Sequence, residues 1–263
     1  MAMDTYAMKQ ENRLPVFFIG HGAPNILLQQ DPVLDEWKRQ VIPVTGINRI
    51  MLVSAHWETS CFTLGGNQLQ ETIHDFYGFP NELYEYRYTP PSDSNWAEEL
   101  AKSLNLEVDQ GRGLDHGSWV PLTAMFPDEK IPVSHLSVSP RLGCEAHFEL
   151  GKKLAKLRQQ GVLIITSGVI VHNLRALNWN DSFAVPQPWA KLFMNEVQQA
   201  IDTKNWKALF EPHQLQGGDI AVPSLEHYLP LLIALGASQE EPITVFADVW
   251  RYGNLSQHSL KIG

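Results

Sequence analysis

Short apolar runs rich in β-branched residues recur along the chain, each bounded by glycine, proline or a polar cluster. Runs of this length and composition predict buried strands. They cover Pro15 to Ile19, Arg49 to Ser54, Ile131 to Val138, Val162 to Thr166 and Ile243 to Val249. Between them, apolar residues recur at three- and four-residue spacing, which predicts helices over Pro32 to Val41, Asn95 to Leu104, His147 to Arg158, Trp189 to Ile201 and Glu226 to Leu235. Asp31 and Ser94 supply start signals for the first two. The alternation predicts an α/β fold, with a central mostly parallel or mixed sheet flanked by helices on both faces. No repeat, low-complexity tract or linker interrupts it, so a single domain over residues 1–263 is expected.

In such folds ligands bind beyond the carboxyl ends of the strands. The run from Pro15 to Ile19 leads directly into Gly20-His21-Gly22-Ala23-Pro24, and the run from Met51 to Ala55 leads into His56-Trp57-Glu58. A third strand exits through Ser167-Gly168-Val169-Ile170-Val171 to His172-Asn173-Leu174. His227 stands at the start of the helix carrying Pro230, a residue best tolerated in a first helical turn. Four histidines delivered to one end of a sheet are most economically read as a metal site.

Composition narrows the metal and the partner. Two cysteines, Cys61 and Cys144, cannot build a thiolate zinc cage or a disulfide framework, whereas ten histidines offer ample nitrogen ligands. Imidazole ligation favours zinc, copper, iron or nickel over magnesium or calcium. The net charge of −9 argues against nucleic acid or an anionic membrane as partner. The polar stretch from Met1 to Arg13 carries no targeting signal, and no apolar run is long enough to span a bilayer, so a cytoplasmic location is expected.

Other segments point to a pocket. Asp115-His116-Gly117-Ser118-Trp119 sets a carboxylate beside a histidine in a glycine-rich stretch. Ile73-His74-Asp75-Phe76-Tyr77-Gly78-Phe79-Pro80, followed by Tyr84, Tyr86 and Tyr88, is an aromatic loop suited either to line a site for a planar substrate or to pack onto the body. His135, His147, His213 and His258 have no such context and are read as structural. The nucleophile elbow, the P-loop and the dinucleotide fingerprint are all missing.

The motifs around His21, His56, His74, His116, His172 and His227, in that order over nearly the whole chain, resemble those of the 4,5-DOPA extradiol dioxygenases, a branch of the class III extradiol ring-cleavage superfamily. One departure is Val169, where members often carry asparagine. The resemblance implies one divalent metal, Fe(II) or Zn(II), with His21, His56 and His227 as ligands. His172 is implied as catalytic acid/base or as a further metal ligand, and His116 as a catalytic residue close to the substrate. His74, Asp75 and Phe76 are implied to contact the substrate. The superfamily's glutamate ligand falls at His227 or its neighbour Glu226, with His227 favoured. The implied reaction opens a catechol ring beside the diol with O2, giving a seco-semialdehyde. Two alternatives stand beside it: a zinc-dependent hydrolase, and a non-catalytic binding member of the superfamily. Self-association into a homo-oligomer is left open.

Overall fold

A computed structural model describes residues 13–66 and 70–263; apart from Arg13, the polar amino-terminal stretch lies outside them. The strands are β1 (Val16–Gly20), β2 (Arg49–Glu58), β3 (Thr63–Gly65), β4 (Glu107–Asp109), β5 (Val133–Val138), β6 (Val162–Gly168), β7 (Ile243–Ala247), β8 (Trp250–Arg251), β9 (Leu255–Ser256) and β10 (Ser259–Ile262). The longer helices are α1 (Pro32–Val41), α2 (Ser94–Leu104), α3 (His116–Met125), α4 (Gly143–Leu154), α5 (Pro188–Asp202) and α6 (Leu229–Gly236). Eight strands form one mixed sheet in the order β4-β3-β5-β2-β6-β1-β10-β7, and β8 pairs with β9 alone. The four central strands, β5, β2, β6 and β1, run parallel, while β10 and β7 add antiparallel to one side.

The central strands are almost entirely buried and mostly apolar because both faces are covered. Alternate residues serve opposite cores. Val16, Phe18, Met51, Val53 and Ile164 pack with residues of α4, α5 and α6. Phe17, Ile19, Ile50, Leu52 and Ile165 pack with residues of α1 and α3. The expected α/β architecture is therefore present.

Element limits differ in instructive places. α1 has the expected span, capped by Asp31, whose carboxylate accepts from the Val33 N–H at 3.0 Å. α2 is capped by Asp93 rather than Ser94, which is its first helical residue. β2 continues beyond Ser54 to Glu58, with its register against β5 interrupted between Val53 and Glu58. The helix expected from His147 starts at Gly143 and tightens into a 3-10 helix over Ala155–Gln160. α6 starts at Leu229, so His227 lies in the turn before it. α3 had no expected counterpart; it is buried on nearly all sides and shows no polar stripe. Among the described residues, no helix is long and apolar enough to cross a membrane.

Two buried histidines make the fold acid-sensitive. The ring of His147 bridges the Gly143 carbonyl and the Ser139 N–H, and His135 lies against Ser118 and the Gly113 carbonyl. Burial pushes both down to about 4 from the ordinary 6.5. The unfolded chain binds these protons first, so stability contributed by the two rings is complete above pH 6.5 and lost as pH falls towards 4. Lowering the pH from about 7 to about 5 should cost roughly 2 kcal/mol per ring in urea unfolding, and His147→Gln should flatten that dependence.

Candidate metal centre

β2, β6 and β1 lie side by side with their carboxyl ends level, since Ser167 is in register with Ser54 on one side and Ile19 on the other. His21 follows β1 directly, and its backbone N–H donates to the Gly168 carbonyl at 3.2 Å. His56 sits in the extension of β2, its N–H donating to Ser54 Oγ at 3.1 Å. The carbonyl of His227 accepts from the Val169 N–H at 2.8 Å, which fastens the turn before α6 to the end of β6. A Cβ on Gly168 would lie 2.4 Å from that carbonyl oxygen, so only glycine permits the approach.

Three ring nitrogens converge. Nε2 of His56 lies 3.1 Å from Nε2 of His21 and 3.2 Å from Nε2 of His227. The opposite nitrogens identify which protons are present. His56 Nδ1 donates to Asp75 Oδ2 at 3.2 Å, and His227 Nδ1 donates to Glu226 Oε1 at 3.0 Å, because an ionised carboxylate can only accept. His21 Nδ1 is 2.9 Å from Ser167 Oγ. In the neutral rings, His56 and His227 therefore face each other with bare Nε2 lone pairs and no proton between them. Two lone pairs at this distance repel unless a cation lies between them. Nitrogens each about 2.1 Å from one ion stand roughly 3.0 to 3.4 Å apart, so the donor set fits a metal. Ring N–H groups held by carboxylates are the usual support for metal-binding imidazoles.

The electrostatics favour the neutral state at His21 and His227, and the protonated state at His56 when no metal competes for it. Burial, reinforced by the charge of neighbouring histidines, lowers His21 and His227 well below the ordinary imidazole value. His56 is raised: burial opposes its protonation, but the bond to Asp75 and the charges of Asp115, Asp75 and Glu226 outweigh it. Neutral rings are the form a metal requires.

Two further groups of ligating side chains lie beside the first: His56 with Asp75 and His116, and His172 with Glu226 and His227. In both, the carboxylate is engaged by a ring N–H. The His172 ring stacks on that of His227 with centroids 3.6 Å apart and planes at 11°, and its side chain makes no hydrogen bond among the described residues. Burial first, then the charge of His227, lowers His172 well below its ordinary value. His116 opens α3, and both its Nδ1 and its backbone N–H donate to Asp75 Oδ1 at 2.9 Å. Its ring stands 4.0 Å from that of His56 and 5.7 Å from that of Phe76.

His74 lies further out. Its Nε2 is 3.1 Å from the Tyr86 carbonyl, and its ring packs 5.8 to 6.0 Å from those of Phe76, Trp119 and Tyr84. Beneath His56 the buried Asp115 accepts from Ser54 Oγ (2.6 Å), Ser118 Oγ (3.1 Å) and Arg112 Nη2 (2.8 Å). Arg112 Nη2 also donates to the His56 carbonyl at 3.1 Å. α3 reaches this layer only because Gly117 lacks a side chain: a Cβ there would sit 2.6 Å from Ser54 Oγ and 2.8 Å from His56 Cδ2.

The family profile described as the catalytic LigB subunit of aromatic ring-opening dioxygenase matches residues 19–263. The chain belongs to the LigB family. A 4,5-DOPA dioxygenase extradiol from Escherichia coli K12 is 38% identical over 95% of each chain. One from Portulaca grandiflora is 34% identical over 93% of this chain and 94% of its own. The crystal structure of an uncharacterized Escherichia coli K12 protein superposes with a TM-score of 0.81 at 33% identity, covering 95% of this chain and all of the other. As a LigB protein, the chain is a metal-dependent extradiol dioxygenase that opens an aromatic ring with O2.

Some members of the site were given no role by the sequence reading. Ser54, Ser167 and Arg112 act through His56 and His21, and only polar residues at the ends of otherwise apolar strands hinted at the two serines. Val169, in place of the frequent asparagine, is buried and serves the site through its main chain. His21→Ala, His56→Ala and His227→Ala should each abolish tight metal uptake, measured by metal analysis after desalting, while His74→Ala should retain it.

Proposed function

We propose that this LigB enzyme opens the ring of a DOPA-like catechol, using iron(II) held by Nε2 of His21, His56 and His227. The observation that carries this reading is the convergence of three Nε2 atoms with two tautomers fixed by carboxylates. Iron(II) is favoured over zinc(II) because zinc has no redox chemistry with which to bring O2 to an aromatic ring; the bound iron supplies that chemistry.

The protein's part is to place the ring and handle protons. Phe76 forms a wall beside His116, and the rings of Phe79 and Tyr84 back it at 5.4 and 5.1 Å. A planar ring fits such a surface and is kept from water by it. His74 and Tyr86 brace this wall through Trp119. His116 has its Nδ1–H committed to Asp75, so Nε2 is the atom it offers to a substrate hydroxyl proton. His172 is neutral near pH 7, its ring has no hydrogen-bond partner among the described residues, and it lies beyond His227, which suits it to accept a proton and later return it to a leaving oxygen. We assign it this acid/base role rather than ligation, because its ring stacks on His227 instead of joining the three converging Nε2 atoms. Two unpaired cysteines, Cys61 and Cys144, together with an oxidisable ion, suit a reducing compartment such as the cytoplasm.

Anaerobically iron-loaded protein given L-DOPA and then air should consume O2 and form a yellow ring-opened product; no turnover across a panel of catechols, with iron verified in place, overturns the reading. His172→Ala should lower kcat by roughly 10²- to 10⁴-fold with iron retained. Iron loss in that variant would instead identify His172 as a ligand.

A further inference from the structure

Asp75 presents one carboxylate to two imidazoles. Its Oδ2 accepts from His56 Nδ1 at 3.2 Å, and its Oδ1 accepts both the ring Nδ1–H and the backbone N–H of His116, each at 2.9 Å. A carboxylate has no proton to give, so each neutral ring keeps its own at Nδ1 and leaves Nε2 bare. One side chain thus governs the nitrogen aimed at the metal and the nitrogen aimed at the substrate.

We propose that Asp75 is a positioning residue that fixes the tautomers of His56 and His116 together, and sets the metal affinity of the centre through His56. The proposal rests on the reading of His21, His56 and His227 as ligands. It assigns Asp75 a role beside the expected substrate contact, since each of its oxygens already accepts from a ring N–H.

The two oxygens are not equivalent. Oδ1 also takes a backbone N–H, which has no alternative tautomer, whereas Oδ2 meets only the His56 ring. In Asp75→Asn the amide oxygen therefore stays opposite His116, and the NH₂ falls opposite His56 Nδ1. A donor facing a donor drives the His56 proton to Nε2, the atom that faces His21 and His227. The substitution is nearly isosteric, yet it disables the ligand and spares the proton acceptor.

Zinc(II) titrated into metal-free protein, in competition with a chromophoric chelator, gives the test. Asp75→Asn should bind zinc roughly 10- to 100-fold more weakly, with the melting temperature of the metal-free protein unchanged. His116→Ala should bind zinc as the unsubstituted protein does. Wild-type zinc affinity in Asp75→Asn overturns the proposal, and so does zinc loss in His116→Ala, which would move the metal onto Asp75 itself. Should Asp75→Asn fail to fold, ring ¹⁵N NMR of the unsubstituted metal-free protein well above neutrality decides: His56 and His116 both protonated at Nδ1 supports the proposal, and Nε2–H on either overturns it. His21→Ala separates the two levels: unchanged zinc binding in that variant refutes the three-histidine site, whereas zinc loss there beside normal binding in Asp75→Asn refutes the positioning role alone.

Discussion

The structure turns on the convergence of ring nitrogens: Nε2 of the half-buried His56 stands 3.1 Å from that of His21 and 3.2 Å from that of His227, an arrangement that a shared cation stabilises. Asp75 and Glu226 accept from Nδ1 of His56 and His227, which favours the tautomers that leave Nε2 bare. Everything around the site serves to keep the rings there. Three adjacent parallel strands bring His21, His56 and the His227 turn to one edge, and the serines at their ends fix backbone and ring positions by hydrogen bonds.

Close approach makes this possible. Gly168 lets the His227 turn rest on the end of β6, and Gly117 lets the first turn of α3 pack on His56. Beneath them the buried Asp115 and the half-buried Arg112 form an ion pair whose hydrogen bonds reach Ser54, Ser118 and the His56 carbonyl. Such a pair contributes little net stability but penalises any other arrangement of the groups it bonds, because breaking it strands the buried charge of Asp115.

How legible this was in the sequence depended on where each signal lay. The central strands and α1 were readable because continuous apolar runs and an Asp-Pro start are local features. α3 was not, since a helix buried on all sides has no polar stripe to give it a period. β10 was missed because its partner β1 lies at the other end of the chain. At the site, histidines placed just after strands were visible as a pattern, but Ser167, Glu226 and Arg112 act through hydrogen bonds formed only once the sheet is assembled. Asp75 was singled out for its neighbours in the loop, and its bonds to two rings show only in three dimensions.

His21, His56 and His227 come from the end of the first strand, the second strand and the final third of the chain, so an ion held by them as proposed would also be a reversible cross-link across most of the polypeptide. The pocket cannot exist until β6 has paired with both neighbours and the His227 turn has docked on it. A three-histidine site therefore requires the sheet and the His227 turn to be assembled first. Whatever affinity the centre has for its ion is returned as resistance to unfolding in proportion to the free metal present. A cell short of that metal would hold an enzyme that is not merely idle but easier to unfold.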